Sequence, residues 1–244
     1  MINEAILLAG GRGTRLQPVL PETPKVIAEI GGRPFITFIL DQLQEAGIAR
    51  VILATGYRGG QVRRALGESY RHMQLLYSEE PCLLGTGGAV RFALQTGCAS
   101  SAQVMVLNGD SFIDTNLGTF YLWHCDRNDG PSLLLTTVPD AARFGTVTIA
   151  EDARITAFHE KRGSVEAGLI NAGVYVFPRD WLMSLPGECA LSLEREVLPK
   201  WLGQGVYGYS VNASFLDVGI PEALRQAECF FTRLGRIRSW AGAS

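Results

Sequence analysis

Three glycines, two arginines and a lysine fall within the sixteen residues from Gly10 to Lys25: Gly10, Gly11, Arg12, Gly13, Arg15 and Lys25. The apolar run Ala5-Ile6-Leu7-Leu8-Ala9 empties straight into them, so a strand delivers a glycine-rich, cationic turn. Glycines let main-chain N–H groups approach an anion that a Cβ would hold off, and guanidinium and ammonium groups neutralise its charge from the side. This favours phosphate binding over an ordinary glycine turn. Two common phosphate motifs do not fit. The pattern G-x-G-x-x-G must open a helix at once, whereas the residues from Gly11 read G-R-G-T-R-L and run into Pro18 and Pro21. A P-loop needs G-K-[ST], and Lys25 stands far beyond the last glycine.

A second glycine cluster, Gly85-Thr86-Gly87-Gly88, precedes an amphipathic stretch. A helix beginning at Gly87 or Gly88 presents unpaired N–H groups to an anion. The four apolar residues Val104–Leu107 lead through Asn108-Gly109 to Asp110, a carboxylate where a buried strand leaves a sheet, or simply a turn aspartate. Phe215-Leu216 lead in the same way to Asp217, after which Gly219 and Pro221 open a helix over Glu222–Phe231. Glu160-Lys161, taken alone, reads as a solvated surface pair.

The elements that must position these groups alternate through the first half. Strands are expected at Ala5–Leu8, Val51–Ala54, Leu75–Tyr77 and Val104–Leu107, and helices near Pro34–Ala46, Gln61–Leu66 and Gly88–Leu94. Such alternation implies an α/β fold: a mixed, mainly parallel sheet with helices on both faces and ligands at the carboxyl ends of the strands. The second half changes rhythm. A helix at Leu117–Arg127 and a strand at Ser132–Val138 precede strand candidates Phe144–Ile149, Ile155–His159, Ala172–Phe177, Val206–Tyr209 and Phe215–Val218. They suggest a small antiparallel flap over the pocket. The 244 residues, 47% hydrophobic and 19% charged, suit a single domain over residues 1–234, with residues 235–244 as a frayed tail.

The net charge of −2 argues against nucleic acid and anionic membranes as partners and confines the positive charge to a small anionic ligand. No apolar run is long enough to span a bilayer, and Met1-Ile2-Asn3-Glu4 lacks a basic secretory start, so a cytoplasmic protein is expected. Cys82, Cys98, Cys125, Cys189 and Cys229 form no C-x-x-C pair and read as free thiols, while the dispersed His72, His124 and His159 give no zinc site.

Taken in order, Ala9-Gly10-Gly11-Arg12-Gly13-Thr14-Arg15-Leu16, Pro24-Lys25, Leu84-Gly85-Thr86-Gly87-Gly88, Asn108-Gly109-Asp110, Phe158-His159-Glu160-Lys161, Ile170-Asn171-Ala172-Gly173-Val174-Tyr175 and Asp217-Val218-Gly219 resemble the motifs of the sugar-nucleotide pyrophosphorylases, a nucleotidyltransferase family. The resemblance implies the Rossmann-like nucleotide-diphospho-sugar transferase fold. It also implies attack by a sugar 1-phosphate oxygen on the α-phosphorus of a nucleoside triphosphate. A sugar phosphate is already ionised, which accounts for the lack of a His–Asp or Ser–His pair. By the same resemblance Arg15, Lys25 and Asp110 are the catalytic residues, and Asp110 and Asp217 hold Mg²⁺. Ala9, Gly10, Gly11, Gly13, Thr14 and Arg15 bind the nucleotide together with Gly85, Thr86 and Gly87. Gly145, Glu160, Lys161 and Asn171 bind the sugar phosphate. Ile220 stands where the family often has threonine.

The segment Glu79-Glu80-Pro81 before Leu84-Gly85 is most similar to guanylyltransferases for mannose or heptose 1-phosphates, with Cys82 and Leu83 inserted. GTP and D-glycero-α-D-manno-heptose 1-phosphate are therefore the favoured substrates, with Glu80 either a base contact or a surface carboxylate. An N-acetylmuramate 1-phosphate uridylyltransferase, another hexose 1-phosphate nucleotidyltransferase and a non-catalytic nucleotide-sugar sensor are the alternatives. The sequence leaves a homodimer open.

Overall fold

The protein is described by a computed structural model over residues 2–11, 13–96, 101–127, 130–160, 163, 165–187 and 190–237. Its first strand, β1 (Glu4–Leu8), sends Ala5 and Leu7 to one apolar layer and Ile6 to the other. Strands buried on both faces read as unbroken apolar runs, and this is why β1 shows no polar alternation. Two short strands, β2 (Glu29–Ile30) and β3 (Arg33–Pro34), pair with each other before helix α1 (Ile36–Glu45). There follow β4 (Arg50–Thr55), α2 (Gly59–Leu66), β5 (Ser69–Tyr70), β6 (Met73–Glu79), α3 (Gly85–Gln95) and β7 (Gln103–Asn108). Strand β1 lies between β4 and β7, all parallel, and β6 continues the parallel set beyond β4.

The second half adds β8 (Ser111–Ile113), α4 (Leu117–Arg127), β9 (Ser132–Val138), β10 (Thr146–Ile149), β11 (Ile155–His159) and β12 (Gly168–Pro178). It ends with α5 (Arg179–Met183), α6 (Leu198–Trp201), β13 (Tyr207–Val211), β14 (Phe215–Asp217) and α7 (Pro221–Arg233). Antiparallel β12 joins the parallel set through β7, and β9 and the β10–β11 hairpin both pair with β12. The register of β12 against β9 shifts between Asn171 and Tyr175, which lets one strand serve these neighbours on both sides. The expected antiparallel flap is this β10–β11 edge, continuous with the main sheet rather than separate from it.

Helices cover both faces. One layer packs α1, α4 and α7 against the sheet, with Phe38 stacked on Phe231 at 3.7 Å between ring centres; the other holds α3 and α5. Two elements differ from the sequence reading. Asp217 ends a strand that, among the described residues, pairs with β8, a three-residue element too short to show periodicity, and not with the main sheet. Arg236 and Ile237, within the expected tail, are docked: Arg236 donates to Asp114 at 2.9 Å, and Ile237 packs into the core layer beside Gly31, while residues 238–244 lie outside the described residues. Among the described residues, no helix is long and apolar enough to cross a membrane. Cys82, Cys125 and Cys229 are free and exposed; Cys98 and Cys189 lie outside the described residues.

Candidate active site

At the carboxyl ends of β1 and β7 a cavity of about 640 Å³ opens between the glycine turn and the β10–β11 edge. Its near wall is Gly11, Gly13, Thr14 and Arg15, with Lys25; its floor carries Asp110 and Asp217; its far wall includes Gly145, Phe158 and Glu160. The arrangement follows from the chain's local chemistry. Gly13 adopts a left-handed conformation (φ 58°) and turns the chain into the short 3-10 segment Thr14–Leu16, which leaves Arg15 exposed and buries Leu16. Lys25 opens a second 3-10 turn and forms an ion pair with Asp110.

The two aspartates are fastened together by main-chain bonds. Val218 N–H donates to Asp110 C=O at 2.9 Å, and Asp217 stands opposite Ser111 in the β8–β14 pair. Asp217 Oδ1 accepts from Gly219 N–H at 2.9 Å and from Arg143 at 3.1 Å. Burial, and then the negative charge of Asp110, push the Asp217 carboxyl above the ordinary aspartate range, while the Gly219 N–H, Arg143 and Lys25 pull it back. Two repelling carboxylates, each holding a cationic side chain, are a hard-oxygen donor pair suited to a divalent cation. Among the described residues no group of three or more histidine, cysteine or carboxylate side chains is placed to hold a metal ion.

The second glycine cluster departs from expectation. Helix α3 begins at Gly85, not Gly87 or Gly88, and the N–H groups of Gly87 and Gly88 are not open to a ligand: they donate to Leu191 C=O at 2.8 and 3.3 Å. Gly85 takes φ +69°, and a Cβ there would lie 2.6 Å from the same oxygen, so only glycine allows the 190–194 segment to sit this close. Thr86 Oγ1 donates to Glu194 at 2.8 Å. Gly85, Thr86 and Gly87 thus stand behind the cavity wall, of which Glu194 is part.

Three other expected contacts are also engaged within the protein. Ala9 N–H donates to Ala54 C=O at 2.8 Å, so it is not available to a phosphate; neither Ala9 nor Gly10 lines the cavity. Asn171 does line it, but its amide donates to Tyr175 OH and accepts from Gly173 N–H, both at 2.9 Å. Glu80 is half-buried beside the glycine turn, close against Gly10 and Gly56, and accepts from Leu84 N–H at 2.9 Å. Burial raises its carboxyl, with the Leu84 N–H opposing. Lys161 and Arg12 lie outside the described residues.

The structure adds residues that the sequence reading missed. Arg143 on the cavity wall pairs with Asp217; its place just before Phe144-Gly145 was the available signal. Asn108, beside Asp110, keeps a buried Oδ1 with no hydrogen-bond partner on that wall. Glu194 had no signal, because its role arises from segments distant in sequence.

The comparisons with known proteins agree with this geometry. A D-glycero-alpha-D-manno-heptose 1-phosphate guanylyltransferase of Aneurinibacillus thermoaerophilus is 35% identical over 92% of this chain and 96% of its own. A mannose-1-phosphate guanylyltransferase of Mycobacterium tuberculosis is 36% identical over 90% of this chain, which spans 62% of that longer protein. The crystal structure of HddC from Yersinia pseudotuberculosis complexed with GMP-PN superposes with a TM-score of 0.83 at 27% identity, covering 94% of this chain and all of that one. The nucleotidyl transferase family pattern matches residues 4–233. A glycine turn, a lysine and two aspartates around one cavity, at the switch from parallel to antiparallel strands, are thus explained together: this chain belongs to the nucleotidyl transferase family.

Proposed function

We propose that this protein transfers a guanylyl group from GTP to a sugar 1-phosphate, with D-glycero-α-D-manno-heptose 1-phosphate the favoured acceptor, releasing pyrophosphate. The observation that carries the reading is the single cavity with the cationic glycine turn on one wall, Gly145 and Glu160 on the other, and the Asp110–Asp217 pair between them. Relatives at 35% and 36% identity are both guanylyltransferases, one for a heptose and one for mannose 1-phosphate.

In the reaction a sugar-phosphate oxygen attacks the α-phosphorus, a new P–O bond forms, and the bond to pyrophosphate breaks. The attacking oxygen carries its charge already, so no residue has to remove a proton. The chain's work is positioning and charge stabilisation. Arg15 and the Gly11–Thr14 main chain hold the leaving pyrophosphate. Lys25 exchanges its bond to Asp110 for the reacting phosphates, and Arg143 balances charge at Asp217. Glu160 and Lys161 hold the sugar hydroxyls and the attacking phosphate. Asp110 and Asp217 would hold Mg²⁺, which when bound neutralises phosphate charge between the two reactants.

Base choice rests on Glu80. Guanine offers N1–H and N2–H₂ donors that a carboxylate accepts and that adenine lacks, and a buried acceptor left unpaired by the wrong base discriminates strongly. The decisive experiment measures pyrophosphate release with GTP, ATP, UTP and dTTP against heptose, mannose and N-acetylmuramate 1-phosphates. The expected kcat/KM is highest for GTP with a manno-configured acceptor; a higher value with UTP or dTTP would overturn the guanylyl reading. Glu80→Gln should lower the preference for GTP over ATP by about tenfold or more.

A further inference from the structure

The carboxylate of Glu194 accepts three hydrogen bonds, each from a different part of the fold. Tyr175 OH on β12 donates to Oε1 at 3.0 Å; Thr86 Oγ1, in the first turn of α3, donates to Oε2 at 2.8 Å; Ser192 Oγ donates to Oε2 at 3.1 Å. A carboxylate has about four acceptor positions, so its capacity is nearly taken up inside the protein although it lines the cavity. Neither main donor is free to turn elsewhere. Tyr175 is fully buried and its oxygen receives the Asn171 amide at 2.9 Å, while Thr86 Oγ1 also accepts Leu193 N–H at 2.8 Å.

These bonds tie the cavity wall to the helix behind it. Strand β12 carries Asn171 and Gly173 on the cavity wall; the second glycine cluster, which the guanylyltransferase reading assigns to the nucleotide, forms the first turn of α3 behind it. The Leu191 carbonyl that closes the start of α3 lies three residues before Glu194, so one short segment caps the helix and holds the strand. Charge-assisted bonds in a buried network are stronger than neutral ones, and loss of one member leaves the others unsatisfied.

We propose that Glu194 is a positioning residue that sets the nucleotide loop and the sugar strand in one register, so that each substrate's affinity depends on contacts at the other's side. The proposal rests on the guanylyltransferase reading. It predicts crossed effects. Thr86→Val, in the second glycine cluster, should raise the KM for the sugar 1-phosphate about three- to tenfold, and Tyr175→Phe, on the sugar strand, should raise the KM for GTP by a similar factor. The double variant should be no worse than the more damaging single variant, and Glu194→Gln should resemble it. Thr86→Ser, which keeps the hydroxyl, should restore wild-type values.

Steady-state pyrophosphate release on the full chain, with GTP and a manno-configured sugar 1-phosphate varied in turn, reads all of these, and thermal unfolding of each variant monitors folding. Should Tyr175→Phe fail to fold, Thr86→Val and Thr86→Ser still decide the matter. Effects confined to the substrate on each variant's own side, additive effects in the double variant, or a fall in kcat with both KM values unchanged would overturn the coupling. A wild-type protein that turns over no nucleotide and sugar phosphate pair would overturn the functional reading, and the coupling with it.

Discussion

Asp110 and Asp217 were legible as single residues because each lies just beyond an apolar run and within two residues of a glycine, the local pattern of a strand leaving the interior. What the sequence could not show is their mutual charge: the Asp217 carboxyl is raised by burial and by Asp110, and the pair is balanced by Lys25 and Arg143. Neutralising either carboxylate should therefore remove ion binding without harming the fold, because it also relieves repulsion. Asp110→Asn and Asp217→Asn should each lower kcat by about a hundredfold or more, as expected for loss of charge stabilisation at a phosphoryl centre, while unfolding temperature stays equal or rises. Activity assays with a thermal melt of the same samples check both halves. Lys161 sits in a motif but outside the described residues, so its prediction comes from the resemblance: Lys161→Ala should raise the KM for the sugar phosphate more than that for GTP.

At the scale of elements, the β/α alternation of the first half was readable because each strand carries an apolar run of three or more residues and each helix follows within one turn signal. Helix α4 and strand β9 match their expected spans, and β1, β4 and β7 extend theirs by a residue or more at one or both ends. The failures share a cause in long-range pairing. Ser111–Ile113 is too short to show a period, and Gly87 and Gly88 are occupied by a carbonyl about a hundred residues away that no local pattern announces. That contact is testable through Gly85, whose left-handed backbone and closeness to Leu191 C=O leave no room for a side chain. Gly85→Ala should destabilise the protein by about 1–3 kcal/mol, from strain at positive φ and the displaced carbonyl. Urea unfolding measures it; an unchanged midpoint would show that the 190–194 segment does not need this approach.

For the molecule as a whole, the packing that holds the sheet to α4 includes one titratable group in the interior. His124 is 2% exposed, its Nδ1 against Ser132 Oγ at 2.8 Å and its Nε2 against Gln103 Oε1 at 3.1 Å, and burial lowers its pKa to about 4. A neutral ring satisfies both neighbours by donating from Nε2 and accepting at Nδ1, whereas a protonated ring would face the Ser132 oxygen with a second N–H and carry a charge into the core. The sign of the pH effect follows. The unfolded chain binds this proton below about 6.5 and the folded chain only below about 4. Stability from keeping the ring neutral is thus complete above the unfolded value and is lost progressively as pH falls through that window. By pH 5 the loss should reach about 2 kcal/mol. Carboxylates elsewhere also respond to acid, so the comparison that isolates His124 is with His124→Gln, a neutral side chain that cannot take up the proton. Denaturant unfolding of both proteins at pH 7, 6 and 5 should show the wild type losing more stability than the variant by about that amount; parallel slopes would mean that His124 titrates alike in the folded and unfolded chains.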